Sequence, residues 1–349
     1  NSSARLCMIL QTTVSACANF LYNHPKFDDF YVEDNVTIDL AGLQIGHAIV
    51  EGSLTGCTVF LCPEGTVGGV DVRGPAPGSR EVALLGIDKP VHYVNAILLA
   101  GGSAFGLAAA DGVMRYCEEQ GIGHKTLIKP IPIVPAAIIY DLFLTQGQAF
   151  PTLETGYAAC LNARASDIAQ GNSGAGAGAT VGKWSDKGGV MKGGFGLASY
   201  SEGALVVGAA AVVNAMGDVV ARDGRVLAGS RNPAGGWMVD SDPFRRFPDA
   251  PPVQLGTNTT LVVVYTNAKL NKLETNRVAQ RAHDGMAIAI RPVHSTHDGD
   301  IAFTLATGKV DAGFDVVASI AVEMVSEAIR NSVRNALSVG PIVGLRDSS

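Results

Sequence analysis

Residues 191–220, MKGGFGLASYSEGALVVGAAAVVNAMGDVV, carry only three charged side chains, Lys192, Glu202 and Asp218. A run this apolar reads as two adjacent buried strands turned near Glu202-Gly203. Leu261 to Tyr265 (LVVVY) reads the same way. Any fold of this chain must therefore cover an unusually apolar set of strands. Composition agrees: 47% of the 349 residues are hydrophobic and 17% charged, with mean hydropathy +0.22. That balance favours one large core, an oligomer, or both. The 42 glycines follow no Gly-X-Y period and read as tight turns and close packing.

Further strands are predicted at GLQIGHAIV, GCTVFLCPE, VNAILLAGG and IAFTLATG. Helices are predicted at SAFGLAAADGVMRYCEEQG, closed by Gly121, and at VPAAIIYDLFL, opened near Pro135. A third spans TLETGYAACLNARASDIAQG, with Gly171 past its end. NKLETNRVAQRAHDGMAIAI and FDVVASIAVEMVSEAIRNSVRNAL complete the set, and residues 222–257 read as loop. The class is mixed α/β with extensive strand pairing, without a regular β-α-β alternation or an internal repeat.

Several functions are disfavoured. A net charge of −6 with no basic run argues against nucleic acid. No stretch reaches the roughly 18 apolar residues that span a bilayer. The six cysteines (Cys7, Cys17, Cys57, Cys62, Cys117, Cys160) form no C-x-x-C and read as buried or free thiols. The seven histidines form no H-E-x-x-H, so neither a metal nor a cofactor is expected. RLCMILQTTVSACANF has the outline of a secretory signal, but Gln11, Thr12 and Thr13 break its apolar core, so a cytoplasmic location is expected.

Four motifs invite chemistry and admit plainer readings. LLAGGSAFG lacks the second Gly of a nucleophile elbow, which leaves Ser103 as a helix N-cap. In NSGAGAGATVGK, Lys183 is followed by Trp184 rather than Ser or Thr, so the stretch reads as a turn that brings backbone close to another element. HSTHDGDIAF places Asp298 and Asp300 either in a turn or where they orient a group across a site. LGTNTTLVVVYTN is the fourth. Thr259 is either an ordinary strand residue or the first residue of a new chain, after a cut that follows Asn258.

CPEGTVGGVDVRGPAPGSRE, AILLAGGSAFGLAAADGV, IPIVPAAIIYDL, GNSGAGAGATVGK and NTTLVVVYTNAKL occur in the order found in the DmpA-type autoproteolytic aminopeptidases, which this chain resembles over about residues 37–340. That group includes D- and β-aminopeptidases and the nylon-oligomer endo-hydrolase. The resemblance implies a single αββα four-layer sandwich over residues 37–349, of the type shared with acetyl-transferring ornithine enzymes, after an extension of residues 1–36. It implies self-cleavage between Asn258 and Thr259, a catalytic Thr259, and a homo-oligomer, a tetramer of αβ units. By matching position, Lys183 would be a cation near the nucleophile and Asn214 an oxyanion donor. Asp298 and Asp300 would orient Thr259 and its amino group, and Tyr140 would line the substrate pocket. The substrate would be a small peptide, an amino-acid amide or an amide oligomer. Asn-Thr-Thr and Asp-Gly-Asp look like the nylon-oligomer hydrolase, whereas the central motifs look like the aminopeptidases.

The chemistry stands on its own footing. A threonine hydroxyl needs a base at neutral pH. An N-terminal Thr259 would carry one, an α-amine with an ordinary pKa of about 7.7–8.0.

Overall fold

The computed structural model describes residues 39–185, 188–245 and 257–348. The expected extension, residues 1–36, lies outside the described residues. So do Cys7, Cys17 and residues 246–256.

Two five-stranded sheets form the centre. The first has the order β1-β2-β5-β6-β4, with β1 Gln44–Ile49, β2 Gly56–Leu61, β4 Ser79–Arg80, β5 Ala96–Ala100 and β6 Ala136–Ile138. The second has the order β3-β15-β13-β10-β9, with β3 Val67–Val72, β9 Gly194–Glu202, β10 Leu205–Asn214, β13 Thr259–Ala268 and β15 Ile301–Val310. Short pairs accompany them: β7 Thr180–Val181 with β8 Met191–Lys192, and β11 Asp218–Val220 between β12 Val226–Ala228 and β14 Ile290–Arg291. The helices are α1 Ala109–Glu119, α2 Leu142–Thr145, α3 Leu153–Leu161, α4 Met238–Ser241, α5 Lys272–Ala289 and α6 Phe314–Arg334.

Strand alternation builds the layers. Ile97 and Leu99 of β5 pack with Leu261, Val263, Tyr265 and Phe303 of the second sheet in one core. Leu98 and Ala100 face the other way, onto Val113 and Cys117 of α1 and Ala159 of α3. α5 and α6 cover the outer face of the second sheet. The order helix, sheet, sheet, helix is the expected αββα sandwich. β9 and β10 form the expected hairpin, pairing Leu205 with Glu202 around Gly203.

Three expectations need correction. Residues 136–138 are a strand, not a helix opened at Pro135: Ala136 to Ile138 pair in parallel with Leu98 to Ala100, and a short apolar run cannot be assigned by periodicity alone. The helix predicted to reach Gly171 stops at Leu161. Beyond it Arg164 exchanges backbone hydrogen bonds with Ile45, so the chain is drawn onto the edge of β1. Ser103 is not an N-cap. It opens a 3-10 turn at φ 53°, and Gly102 holds the cap position. Residues 222–257 are loop apart from β12 and α4, where they are described.

Glycine sets how closely α6 lies on β9. A Cβ on Gly196 would stand 2.1 Å from Ala328 O and 2.4 Å from Ser332 N. Gly196→Ala is therefore expected to destabilise the fold by about 1–3 kcal/mol, the usual cost of overpacking. Urea unfolding followed by far-UV circular dichroism checks this, and an unchanged midpoint would contradict the close approach.

Candidate active site

The site forms at one end of the second sheet. There β10 ends at Asn214, β13 begins at Thr259, and β15 begins just after Asp300. Asn214 pairs with Thr259 across the antiparallel ladder, and Leu261 pairs with Ile301 across the parallel one. β13 is the central strand of its sheet, so its first residue is held from both sides. Thr259 is buried, and its hydroxyl donates to the carbonyl of Asn258 at 2.5 Å.

The 297–300 segment grips the peptide on either side of Thr259. Asn258 N donates to His297 O at 3.3 Å, and Gly299 N donates to Asn258 O at 2.8 Å. A Cβ on Gly299 would stand 2.6 Å from Ala76 O and 2.9 Å from Thr259 Oγ1, so only glycine fits there. Thr260 N donates to Asp300 Oδ1 at 2.5 Å. Asp300 thus reaches the backbone one residue beyond Thr259. Its other oxygen, Oδ2, accepts from His294 Nδ1 at 2.7 Å. Asp298 Oδ2 accepts from Ser295 N at 2.8 Å and Ser295 Oγ at 2.6 Å, and its Oδ1 accepts from Met216 N at 3.4 Å. Burial and the neighbouring Asp300 carboxylate push the Asp298 carboxyl above the usual carboxylate range.

Lys183 arrives from the Gly-rich turn. Gly182 N and Lys183 N donate to Gly217 O and Met216 O at 3.0 and 2.8 Å, fixing the turn beside the end of β10. Lys183 is half-buried, but its amine points inward and donates to Asn214 O at 3.0 Å and Asn214 Oδ1 at 2.8 Å. Burial lowers its pKa to about 7. The Asp298 carboxylate opposes that shift, and Lys192 adds to it. Asn214 Nδ2 donates to Tyr140 O at 3.0 Å and Thr257 O at 3.3 Å. Half-buried Tyr140 therefore joins the cluster through its backbone, from the stretch after β6 rather than from a helix.

All six candidates named from the sequence meet here, together with Asn258. Others did not stand out. Lys192, fully buried, donates to Ala177 O at 2.8 Å and Ala179 O at 2.7 Å and so pins the Gly-rich turn. Its pKa is lowered to about 7 by burial, against the pull of Asp141. Asp141 Oδ1 accepts from Gly102 N at 2.6 Å. A charged residue inside the apolar run at 191–220 was the available signal for Lys192. Asp141 carried none, and His294 only its place at the start of HSTHDGDIAF.

The described cysteines are free. Among the described residues no three His, Cys, Asp or Glu side chains group to hold a metal ion, and no helix is long and apolar enough to cross a membrane.

The model of peptidase family S58 matches residues 35–344. An uncharacterized aminopeptidase of Mycobacterium leprae is 42% identical, over 80% of this chain and 80% of its own. The 6-aminohexanoate-oligomer endohydrolase of Paenarthrobacter ureafaciens is 32% identical, over 78% of this chain and 75% of its own. The solved L-aminopeptidase D-Ala-esterase/amidase of Ochrobactrum anthropi superposes with a TM-score of 0.66 at 19% identity, covering 91% of this chain and 92% of that one. The last likeness bears on the fold alone. The sequence matches bear on family, and by them this chain belongs to peptidase family S58 and is a hydrolase of amide or peptide bonds.

Proposed function

We propose that the chain is a self-processing amide hydrolase whose nucleophile is Thr259. The observation that carries this reading is the Thr259 hydroxyl on the Asn258 carbonyl, with Asn214, Lys183, Asp298 and Asp300 gathered around that peptide.

In the first reaction Thr259 Oγ1 bonds to the Asn258 carbonyl carbon and gives up its proton. The C–N bond to Thr259 breaks, and the nitrogen takes a proton to become the α-amine. The resulting ester is hydrolysed by water, leaving a carboxylate on Asn258 and a free hydroxyl on Thr259. The products are an α chain ending at Asn258 and a β chain beginning at Thr259. The same hydroxyl then attacks a substrate amide, now with its own α-amine as base.

Asn214 supplies the oxyanion donor. Its Nδ2 faces Thr257 O before the cut, and departure of that carbonyl would free an N–H for the tetrahedral intermediate. Tyr140 lines the substrate side.

The substrate class is the N-terminal residue of short peptides or amino-acid amides, β- and D-residues included. A second reading is an internal amide of 6-aminohexanoate oligomers, supported by Asn-Thr-Thr, Asp-Gly-Asp and the endohydrolases among the relatives. Aminoacyl p-nitroanilides are expected to be turned over with the higher kcat/KM when assayed beside a linear 6-aminohexanoate oligomer. The reverse order would favour the second reading.

A further inference from the structure

We propose that His294 is the positioning residue of the Asp300 carboxylate, and through it of the amino end of β13. The proposal rests on Thr259 becoming a chain terminus.

The two oxygens of Asp300 have separate tasks. Oδ1 accepts the Thr260 N–H, and Oδ2 accepts from His294 Nδ1 at 2.7 Å and from His294 N at 3.3 Å. Asp300 is buried, so the carboxylate turns only as its partners allow. Its backbone is equally constrained, because Arg73 N and Gly74 N both donate to Asp300 O at 3.1 Å.

The cut changes what holds Thr259. Before it, Asn258 is tied to His297 O and Gly299 N, and Thr259 follows by covalent bond. After it, those ties hold the end of the other chain, and Thr259 keeps only its place in the ladder opposite Asn214 and its bond to Thr260. The first intact peptide of the new terminus is then Thr259–Thr260, and its N–H is the one that Asp300 accepts. A nucleophile that must meet a carbonyl carbon in a set geometry depends on that anchor.

His294 is held for this task from two directions. Its backbone lies at φ 55°, a left-handed conformation that non-glycine residues seldom adopt and that must be maintained by the surroundings. Its ring meets His283 of α5 edge to face, with centroids 4.8 Å apart. His283 is buried, with Nε2 3.2 Å from Asp71 O and 3.3 Å from Asp71 Oδ2. Burial lowers the His283 pKa to about 4, so that ring is neutral at working pH and packs against His294 without adding charge. Helix α5, backed by Asp71 at the end of β3, thus packs its His283 against the loop imidazole that touches the Asp300 carboxylate.

Three substitutions separate hydrogen bonding from backbone strain. Asparagine tolerates the left-handed conformation and places an amide N–H where Nδ1 stands. Glycine tolerates the conformation and offers no donor. Aspartate has asparagine's shape but sets an acceptor against Asp300. Processed enzyme of each variant is assayed for kcat and KM on one aminoacyl p-nitroanilide, with appearance of the 259–349 fragment timed by intact mass. His294→Asn is expected to stay close to wild type. His294→Gly and His294→Asp are expected to lose roughly 10²-fold in kcat, the cost of a misplaced reacting group, with KM little changed. Should His294→Gly fold poorly, the Asn and Asp pair still decides. Equal kcat in Asn and Asp variants, or a loss confined to KM, would overturn the proposal. A wild type that is uncut, or a Thr259→Ala variant that is fully active, would overturn the Thr259 reading and this one with it.

Discussion

Thr259→Ala is expected to remain one chain. Denatured wild-type protein should resolve, after incubation, into fragments 1–258 and 259–349, whereas the alanine variant should give neither. Hydrolysis of the chosen amide should fall by several orders of magnitude in that variant, as when a nucleophile is removed elsewhere. The argument comes from position rather than from residue type. Thr259 is the first residue of the central strand, pinned by Asn214 on one side and by the 297–300 segment on the other. Its hydroxyl is tied to the carbonyl of the Asn258–Thr259 peptide. Removing Oγ1 deletes a bond-forming atom while leaving the ladder of β13 intact. Thr259→Ser, which keeps the hydroxyl, is the control and should still cut. Cleavage at the same bond in the alanine variant would mean that another group breaks it, and the assignment of Thr259 would fail.

The layered architecture was readable because strands buried on both faces declare themselves. Leu261 to Tyr265 and the 205–214 run leave no solvent face. Helices with long periodic faces were also readable. α5 is further marked at its start, where Asn271 and Glu274 each accept the other's backbone N–H. The three-residue strand at 136–138 was not, since its assignment depends on β5 lying alongside it. The early end of α3 was hidden for the same reason: nothing local stops that helix at Leu161, and the stop comes from Ile45 capturing Arg164.

At the site, Thr259, Lys183, Asn214, Asp298 and Asp300 could be named because motif positions carried them. Their partners could not be. That Asp300 would hold the Thr260 N–H and turn its other oxygen to His294 follows from where a loop crosses two strand ends, and the spacing of residues 294–300 does not encode that crossing.

Lys183→Met and Lys183→Arg together test how the first proton leaves. Before the cut, Thr259 has no α-amine, because its nitrogen is in the scissile peptide. The base for self-cleavage must be another group. A neutral lysine amine has two N–H donors and one lone pair, and Lys183 has two acceptors, both on Asn214. The lone pair takes no part in those two bonds and is open to a proton. With its pKa lowered to about 7, mainly by burial, the amine is protonated below that pH and free above it. Wild-type self-cleavage should therefore slow about tenfold per pH unit below 7 and level off above it. Lys183→Met removes the amine from Asn214 O and Oδ1, of which Oδ1 keeps the Thr180 N–H, and cleavage should slow by about 10²–10⁴-fold and lose this pH dependence. Lys183→Arg keeps a positive charge but cannot become neutral in this range. If Lys183 works as a base, the arginine variant is as slow as the methionine variant. If the site needs only a cation near the oxyanion, arginine restores the rate. The measurement is the rate of appearance of the 259–349 fragment between pH 5.5 and 9 in all three proteins, and rescue by arginine would refute the base.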